Sequence, residues 1–198
     1  MLHRVSLKER RDRILDVAVD LAEAGGFDNV RQRDVADQAG IALATLYKSF
    51  PSKENILVAA LEREAQTLER KMAARPAQGT TPVERLDAFF KITTRAMCNK
   101  PKYARAVLRA VASGESEIAG SVAQYQERMN RLIVAAMRGT EGPAPGSEEL
   151  SDREQLVATY LQRIWFASLV AWSAGLQGQA EVVSQMCTAN ELLLRATR

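Results

Sequence analysis

The chain has 198 residues and a formal charge of +3, long enough to bury a substantial core as one long or two short domains. Hydrophobic residues make up 46% and charged residues 26%, a balance that excludes a disordered chain. Cys98 and Cys187 stand far apart with no CxxC spacing, and His3 is the sole imidazole, so neither a metal site nor a disulfide framework is expected. No segment reaches the ~18 uninterrupted apolar residues of a spanning helix, and the basic N terminus lacks a signal-type apolar run. The expectation is a protein of the reducing cytoplasm with no membrane partner.

Strand alternation is weak throughout, and apolar residues recur at spacings of three and four, so the expected fold class is all-α. Arg4, Lys8, Arg10, Arg11 and Arg13 outweigh Glu9 and Asp12 near the start. Such an arm either neutralises phosphates or is a solvated terminus. Ser6 followed by Glu9 forms a capping box for a first helix carrying Ile14, Leu15, Ala18, Val19, Leu21 and Ala22 on one face. Gly25-Gly26 stops it. A second helix is predicted over 31–39, with Val35, Ala36 and Ala39 inward and Gly40 as its stop. A third over 42–49 ends before Pro51, and Ser52 caps a fourth that runs from Lys53 to about Met72.

The predicted domain boundary follows residue 52: residues 1–52 form an N-terminal domain, a helix over 53–73 connects, and residues 53–198 form a second helical domain. Arg75 to Pro82 reads as a linker. Helices are then predicted over 82–98, 102–112, 115–138, 150–175 and 178–196, about nine in all. Gly139 to Ser147 contains three Gly and two Pro and reads as a loop, the strongest candidate for disorder.

The most informative stretch is Val30 to Lys53, VRQRDVADQAGIALATLYKSFPSK. Two helices of about two turns each, joined at Ala39-Gly40-Ile41, have the proportions of a helix-turn-helix, which places its second helix in a DNA major groove. Leu46 and Phe50, spaced four apart, are expected to pack toward Val35 and Ile14. Leu43, Ala44, Tyr47 and Lys48 then face outward, a wasteful surface on a lone protein and a sensible one in a groove.

Asp34-Val35-Ala36, Ala39-Gly40-Ile41, Thr45-Leu46-Tyr47 and Phe50-Pro51-Ser52-Lys53 together closely resemble the TetR family. The resemblance implies that Thr45, Tyr47 and Lys48 touch phosphates, that Leu43 and Ala44 face base edges, and that Lys53 at a helix N terminus acts as a phosphate clamp. The plain alternative makes Tyr47 a packing residue and Thr45 an internal hydrogen bonder. Arg31 and Ser49 depart from the family pattern, so Arg31 and Arg33 are expected to carry more of the DNA contact than usual.

In the second domain, Arg95-Ala96-Met97, Leu108-Arg109-Ala110, Trp165 and Leu169 to Trp172 resemble the KstR-type repressors of steroid catabolism. That resemblance implies a steroid or fatty acyl coenzyme A thioester as inducer. Phe89, Phe90, Met97, Met129, Ile133, Met137, Trp165 and Leu169 are candidates to line an apolar cavity, although such stripes also make plain core. Arg95, Lys100, Lys102, Arg105 and Arg109 are candidates to meet phosphates of the ligand, or form a solvated face; of these, Arg105 and Arg109 are assigned to the ligand site.

The last two helices are more apolar than one buried face requires, through Leu156, Tyr160, Ile164, Val170, Val182, Val183, Met186, Leu192, Leu193 and Leu194. A homodimer through them, on a palindromic double-stranded operator, is the expected assembly. No Gly-rich phosphate loop, nucleophile elbow or metal spacing appears, so the expected function is a DNA-binding repressor with no cofactor, not an enzyme. The alternatives are a regulator of efflux or fatty-acid metabolism, or a small-molecule carrier that does not bind DNA.

Overall fold

The computed structural model describes residues 6–139 and 150–196. The loop expected over Gly139 to Ser147 lies, beyond Gly139, outside them. The described residues form helices α1 (Leu7–Gly25), α2 (Gln32–Ala39), α3 (Leu43–Ser49), α4 (Lys53–Ala74), α5 (Pro82–Cys98), α6 (Pro101–Val111), α7 (Ala119–Arg138), α8 (Asp152–Ser173) and α9 (Gln179–Ala196), with no strand among them. Single 3-10 turns over Phe27–Asn29 and Ser116–Ile118 precede α2 and α7. The all-α expectation is thereby met.

Helix starts are set by local chemistry. Ser6, Thr81 and Ser151 each accept a hydrogen bond from the backbone N–H three residues on, while Glu9, Glu84 and Glu154 return the bond to the cap. Each box satisfies two N–H groups that the helix cannot pair internally. Pro82 and Pro101 stand at the first positions of α5 and α6, where a missing N–H costs nothing.

The chain divides into two compact units, residues 1–63 with 100–122, and residues 64–99 with 123–198. The expected boundary after residue 52 therefore differs from the contact division, which falls within α4 and takes α6 into the first unit. The reason is the strongly one-sided α6. Tyr103, Ala104, Ala106, Val107, Leu108 and Ala110 are buried, and the helix packs on α1. Lys102 Nζ donates to the Ala24 carbonyl at 2.8 Å, and the Tyr103 N–H donates to Glu23 Oε2 at 3.0 Å. Arg63 secures α4 to α1 through Asp16 at 2.7 Å and the Asp12 carbonyl at 3.0 Å.

In the second unit α9 packs on both α5 and α8. Its buried polar groups are largely paired: Trp165 Nε1 donates to Thr94 Oγ1 at 2.9 Å, Asn190 Nδ2 to Asp87 Oδ1 at 2.7 Å, and Asn130 Nδ2 to Thr159 Oγ1 at 3.1 Å. Arg85 donates twice to the Met137 carbonyl, at 3.2 and 2.7 Å, closing the C-terminal end of α7. Arg128 pairs with Glu69.

Arg138 grips Glu154 through two parallel bonds of 2.7 Å. This guanidinium, joined by the Ser151 hydroxyl and N–H, pulls the carboxyl from its ordinary 4.5 to about 2. A carboxylate whose pKa is depressed on folding contributes stability above its unfolded pKa and loses it as pH falls toward the folded value. Glu154→Gln is expected to lower stability at pH 7 by roughly 1 to 3 kcal/mol, with the gap to wild type shrinking between pH 5 and pH 2. Denaturant unfolding across that range checks this; a gap independent of pH contradicts it.

Candidate nucleic-acid interface

Gly40 closes α2 in the left-handed region at φ 66°, where a side chain would be strained. The Ile41 N–H reaches back to the Ala36 carbonyl at 3.0 Å and the Gly40 N–H to Asp37 at 3.2 Å, satisfying the last carbonyls of α2 and turning the chain into α3. Val35, Ala36 and Ala39 are buried on α2, as are Leu46 on α3, Phe50 just beyond it and Ile14 on α1. The predicted inward set is observed.

The C-terminal end of the short α3 is held by side chains of two other helices. Gln32 Nε2 on α2 donates to the Phe50 carbonyl at 2.8 Å, and the Arg11 guanidinium lies 4.9 Å above the Phe50 ring. At the last residue of α2, before the turn into α3, Arg13 Nη1 approaches the Ala39 carbonyl at 3.5 Å. The outward face then carries Ala44, Tyr47, Lys48 and Ser49, with Leu43 and Thr45 half-buried beside them. Tyr47 is 48% exposed, so the packing role weighed for it is at most partial. Arg31 and Arg33 at the start of α2 are also exposed. Arg31 is the N-cap residue of α2 and makes no side-chain capping bond.

Lys53 differs from expectation. Its ammonium sits 3.9 Å over the Phe27 ring, donates to the Phe27 carbonyl at 3.3 Å and lies 3.8 Å from Asp28. The opposite cation is Arg109, 4.2 Å from the same ring centroid and 3.1 Å from the same carboxylate. Phe27 and Asp28 therefore engage both Lys53 and Arg109, a link between α4 and α6 within the first unit that the sequence did not suggest. Arg109, an expected contact of the effector, instead meets Asp28 and Phe27 in the turn before α2. Arg105 lines, with Lys102 and Arg109, a hollow of about 340 Å³ against Gly25, Gly26 and Phe27.

The other candidates for effector contact lie in the second unit. Phe89, Phe90, Met129, Ile133, Trp165 and Leu169 are all buried. The Phe89 and Phe90 rings meet edge-on at 5.1 Å, and Phe90 lies 6.0 Å from Trp165. Trp165 Nε1 also donates to Thr94, so the three aromatic side chains form one buried cluster. Met97 is half-buried near the end of α5. Met137 alone of the expected set lines an open groove of about 630 Å³, with Pro82, Val83, Val157 and Leu194 as its apolar wall and Arg153, Glu154, Glu191 and Arg195 among its polar lining. Only Met137, on α7, pointed to this groove from sequence; the rest of its lining comes from the ends of α5, α8 and α9. Burial raises the Cys98 thiol to about 11 and also raises that of Cys187, so both remain protonated at neutral pH.

Residues 14–60 match the model for bacterial regulatory proteins of the tetR family, and residues 79–193 that for the tetracyclin repressor-like C-terminal domain. The chain is 36% identical over 187 residues to the HTH-type transcriptional repressor KstR of Rhodococcus jostii, covering 94% of this chain and 84% of that one. Identity to KstR of Mycobacterium tuberculosis is 31% over 187 residues, 94% of this chain and 81% of that one. A TetR transcriptional regulator from Rhodococcus sp. RHA1 superposes with a TM-score of 0.81 at 21% identity, covering 96% and 97% of the two chains. Thermus thermophilus FadR, a repressor solved with lauroyl-CoA, superposes with a TM-score of 0.72 at 19% identity and 93% coverage of each chain. These last two likenesses establish the fold. Sequence matches spanning both halves establish the family: the chain belongs to the TetR family of bacterial transcriptional regulators, which are not enzymes.

Proposed function

We propose that the chain is a cytoplasmic homodimeric repressor of steroid or lipid catabolism genes, released from a palindromic operator by a large apolar acyl coenzyme A thioester. The observation that carries the DNA half is the outward face of α3. There Tyr47 and Lys48 stand exposed beside Leu43, Ala44 and Thr45, with Arg31 and Arg33 exposed at the start of α2. Tyr47, Lys48, Thr45 and the two arginines suit phosphate oxygens, and Leu43 and Ala44 suit base edges in a groove. Lys53 joins the phosphate contacts by exchanging its exposed partner Asp28 for DNA, since an exposed ion pair is worth little. Tyr47→Ala and Lys48→Ala are each expected to weaken operator binding by roughly 1 to 3 kcal/mol while melting stays nearly unchanged. Fluorescence anisotropy on an operator selected from random duplexes measures this, and wild-type affinity in both variants contradicts the assignment.

The dimer half rests on α8. Leu156, Tyr160 and Val170 are exposed there, as is Ala167. At 100° per residue these four fall within roughly 80° of arc, a largely apolar stripe that faces away from the helix's own core and also carries the exposed Arg163. Leu192 on α9 is exposed as well, whereas Val182 and Met186, also expected in the surplus, are buried within the chain. Pairing such faces about a twofold axis would form a four-helix interface. Tyr160→Asp is expected to give folded monomers with greatly reduced operator affinity, as read by sedimentation and anisotropy. A folded wild-type monomer at micromolar concentration contradicts the reading.

The effector half draws on the identity to KstR and the resemblance to KstR-type repressors of steroid catabolism. The groove at the ends of α5, α7, α8 and α9 has the volume of a ligand site, and the exposed Arg153 and Arg195 guanidiniums suit an anionic group. Binding among Phe89, Phe90, Met129, Ile133, Trp165 and Leu169 instead requires that core to open, an energy the ligand must supply by preferring the opened state. In either case, a hundredfold loss of operator affinity needs about 2.7 kcal/mol of differential binding. Thioesters with a multi-ring or long acyl body are expected to release operator at micromolar concentration, and free coenzyme A is not. Release by short polar effectors alone removes the steroid reading and leaves the repressor reading intact.

A further inference from the structure

Beside the helix-turn-helix is a concave site that the groove-facing residues do not account for. Arg10 and Arg13, one turn apart on α1, open with Gly40, Ile41, Ala42 and Thr45 onto a hollow of about 260 Å³. Its floor is the tight turn between α2 and α3, where Gly40 presents no side chain. Arg13 Nη1 approaches the Ala39 carbonyl at this turn at 3.5 Å, and its charge also acts on Glu9 one turn earlier on α1. The Arg10 guanidinium and the Thr45 hydroxyl have no hydrogen-bond partner among the described residues. Two guanidiniums and a hydroxyl thus converge on one small space walled by backbone.

From this geometry we infer that the hollow formed by Arg10, Arg13 and Thr45 seats a phosphodiester of duplex DNA at the edge of the groove that α3 enters. The inference rests on the DNA-binding reading above and adds α1 to its contact surface. The chemistry is that of an oxyanion: guanidinium forks match its paired oxygens, and the hydroxyl adds a third donor. Arg11, on the neighbouring side of α1, lies over Phe50 at the opposite end of α3. The basic row at the start of α1 therefore brackets α3 at both ends. The alternative of a merely solvated basic terminus does not account for Arg10, Arg13 and a Thr45 hydroxyl without a partner among the described residues lining the same hollow. A seat of this kind fixes register without reading sequence, so its contribution is the same on any duplex.

The test uses the full chain and a mixed-sequence 30-bp duplex, for which no operator need be known. Each phosphate neutralised contributes about −0.9 to the slope of log K against log salt concentration. In a dimer, Arg10→Ala is expected to make that slope shallower by about 1.8. Affinity would then fall about tenfold less than wild type's between 50 and 200 mM salt. Arg10→Lys restores most of the slope, and melting is unchanged in both. Tyr47→Ala is measured in parallel. If Tyr47→Ala weakens binding while Arg10→Ala keeps the wild-type slope and affinity, the phosphate seat is overturned and the DNA-binding reading stands. If wild-type protein shows no salt-dependent binding to any duplex, both fall. Equal loss in Arg10→Ala and Arg10→Lys with lowered melting overturns the seat in favour of a structural role for Arg10. Inorganic phosphate at millimolar concentration is the remaining arm. Competition by it beyond what equal ionic strength of chloride produces, abolished in Arg10→Ala, locates an oxyanion at this hollow.

Discussion

A seven-residue helix cannot hold itself together in water, because the first turn costs more backbone entropy than its few hydrogen bonds return. α3 has that length, and its persistence depends on burying Leu46 and Phe50, both nearly inaccessible. Once those side chains are inward, helical geometry leaves Ala44, Tyr47 and Lys48 no place but outside. The same packing needs Gly40 in the left-handed region, since only then can α2 end and α3 depart within three residues. Gln32 and Arg11 complete the arrangement by holding the Phe50 carbonyl and ring. The outward face is thus a consequence of the inward one, and its rigidity comes from α1 and α2 rather than from α3 itself.

The first unit extends this dependence to α6. Its buried face rests on α1, and Arg109 reaches Asp28, which also attracts Lys53. Any shift of α6 therefore acts on the turn before α2 and on the start of α4 through one exposed carboxylate and one ring. Exposed pairs of this kind contribute little stability. The second unit is built differently, with α9 against α5 and α8, indole and amide groups paired inside, and the strong Arg138–Glu154 pair at one end.

Much of this was legible in the sequence. Helix ends follow from Gly25-Gly26, Gly40, Pro51, Pro82 and Pro101, and the starts of α5 and α8 could have been sharpened by Thr81 with Glu84 and Ser151 with Glu154, which spell the same capping box as Ser6 with Glu9. The face of α3 was readable because i and i+4 apolar residues leave little ambiguity over two turns. What was not readable depends on distant partners. Arg105 and Arg109 look in sequence like neighbours of the aromatic cluster, yet α6 packs on α1, and nothing local announces that choice. Leu169 and Val170 adjoin in sequence but one is buried and the other exposed, because the packing of α8 against its partner helices decides which side of an apolar helix faces in. The groove among α5, α7, α8 and α9 is assembled from chain ends far apart in sequence, and so has no signature.

The exposed stripe on α8 and the outward face of α3 have a joint geometric consequence if two copies pair about a twofold axis. Two identical reading helices then meet the same face of a duplex, and their targets must be inverted copies separated by whole turns of DNA. Selection of duplexes from a random pool by the purified full chain tests this most directly. The account predicts enrichment of an inverted repeat whose half-site centres lie about 34 to 36 Å apart or a multiple of that, bound by two protomers or a multiple of two. Failure to enrich any sequence, or enrichment of a lone asymmetric site bound by one protomer, would contradict it.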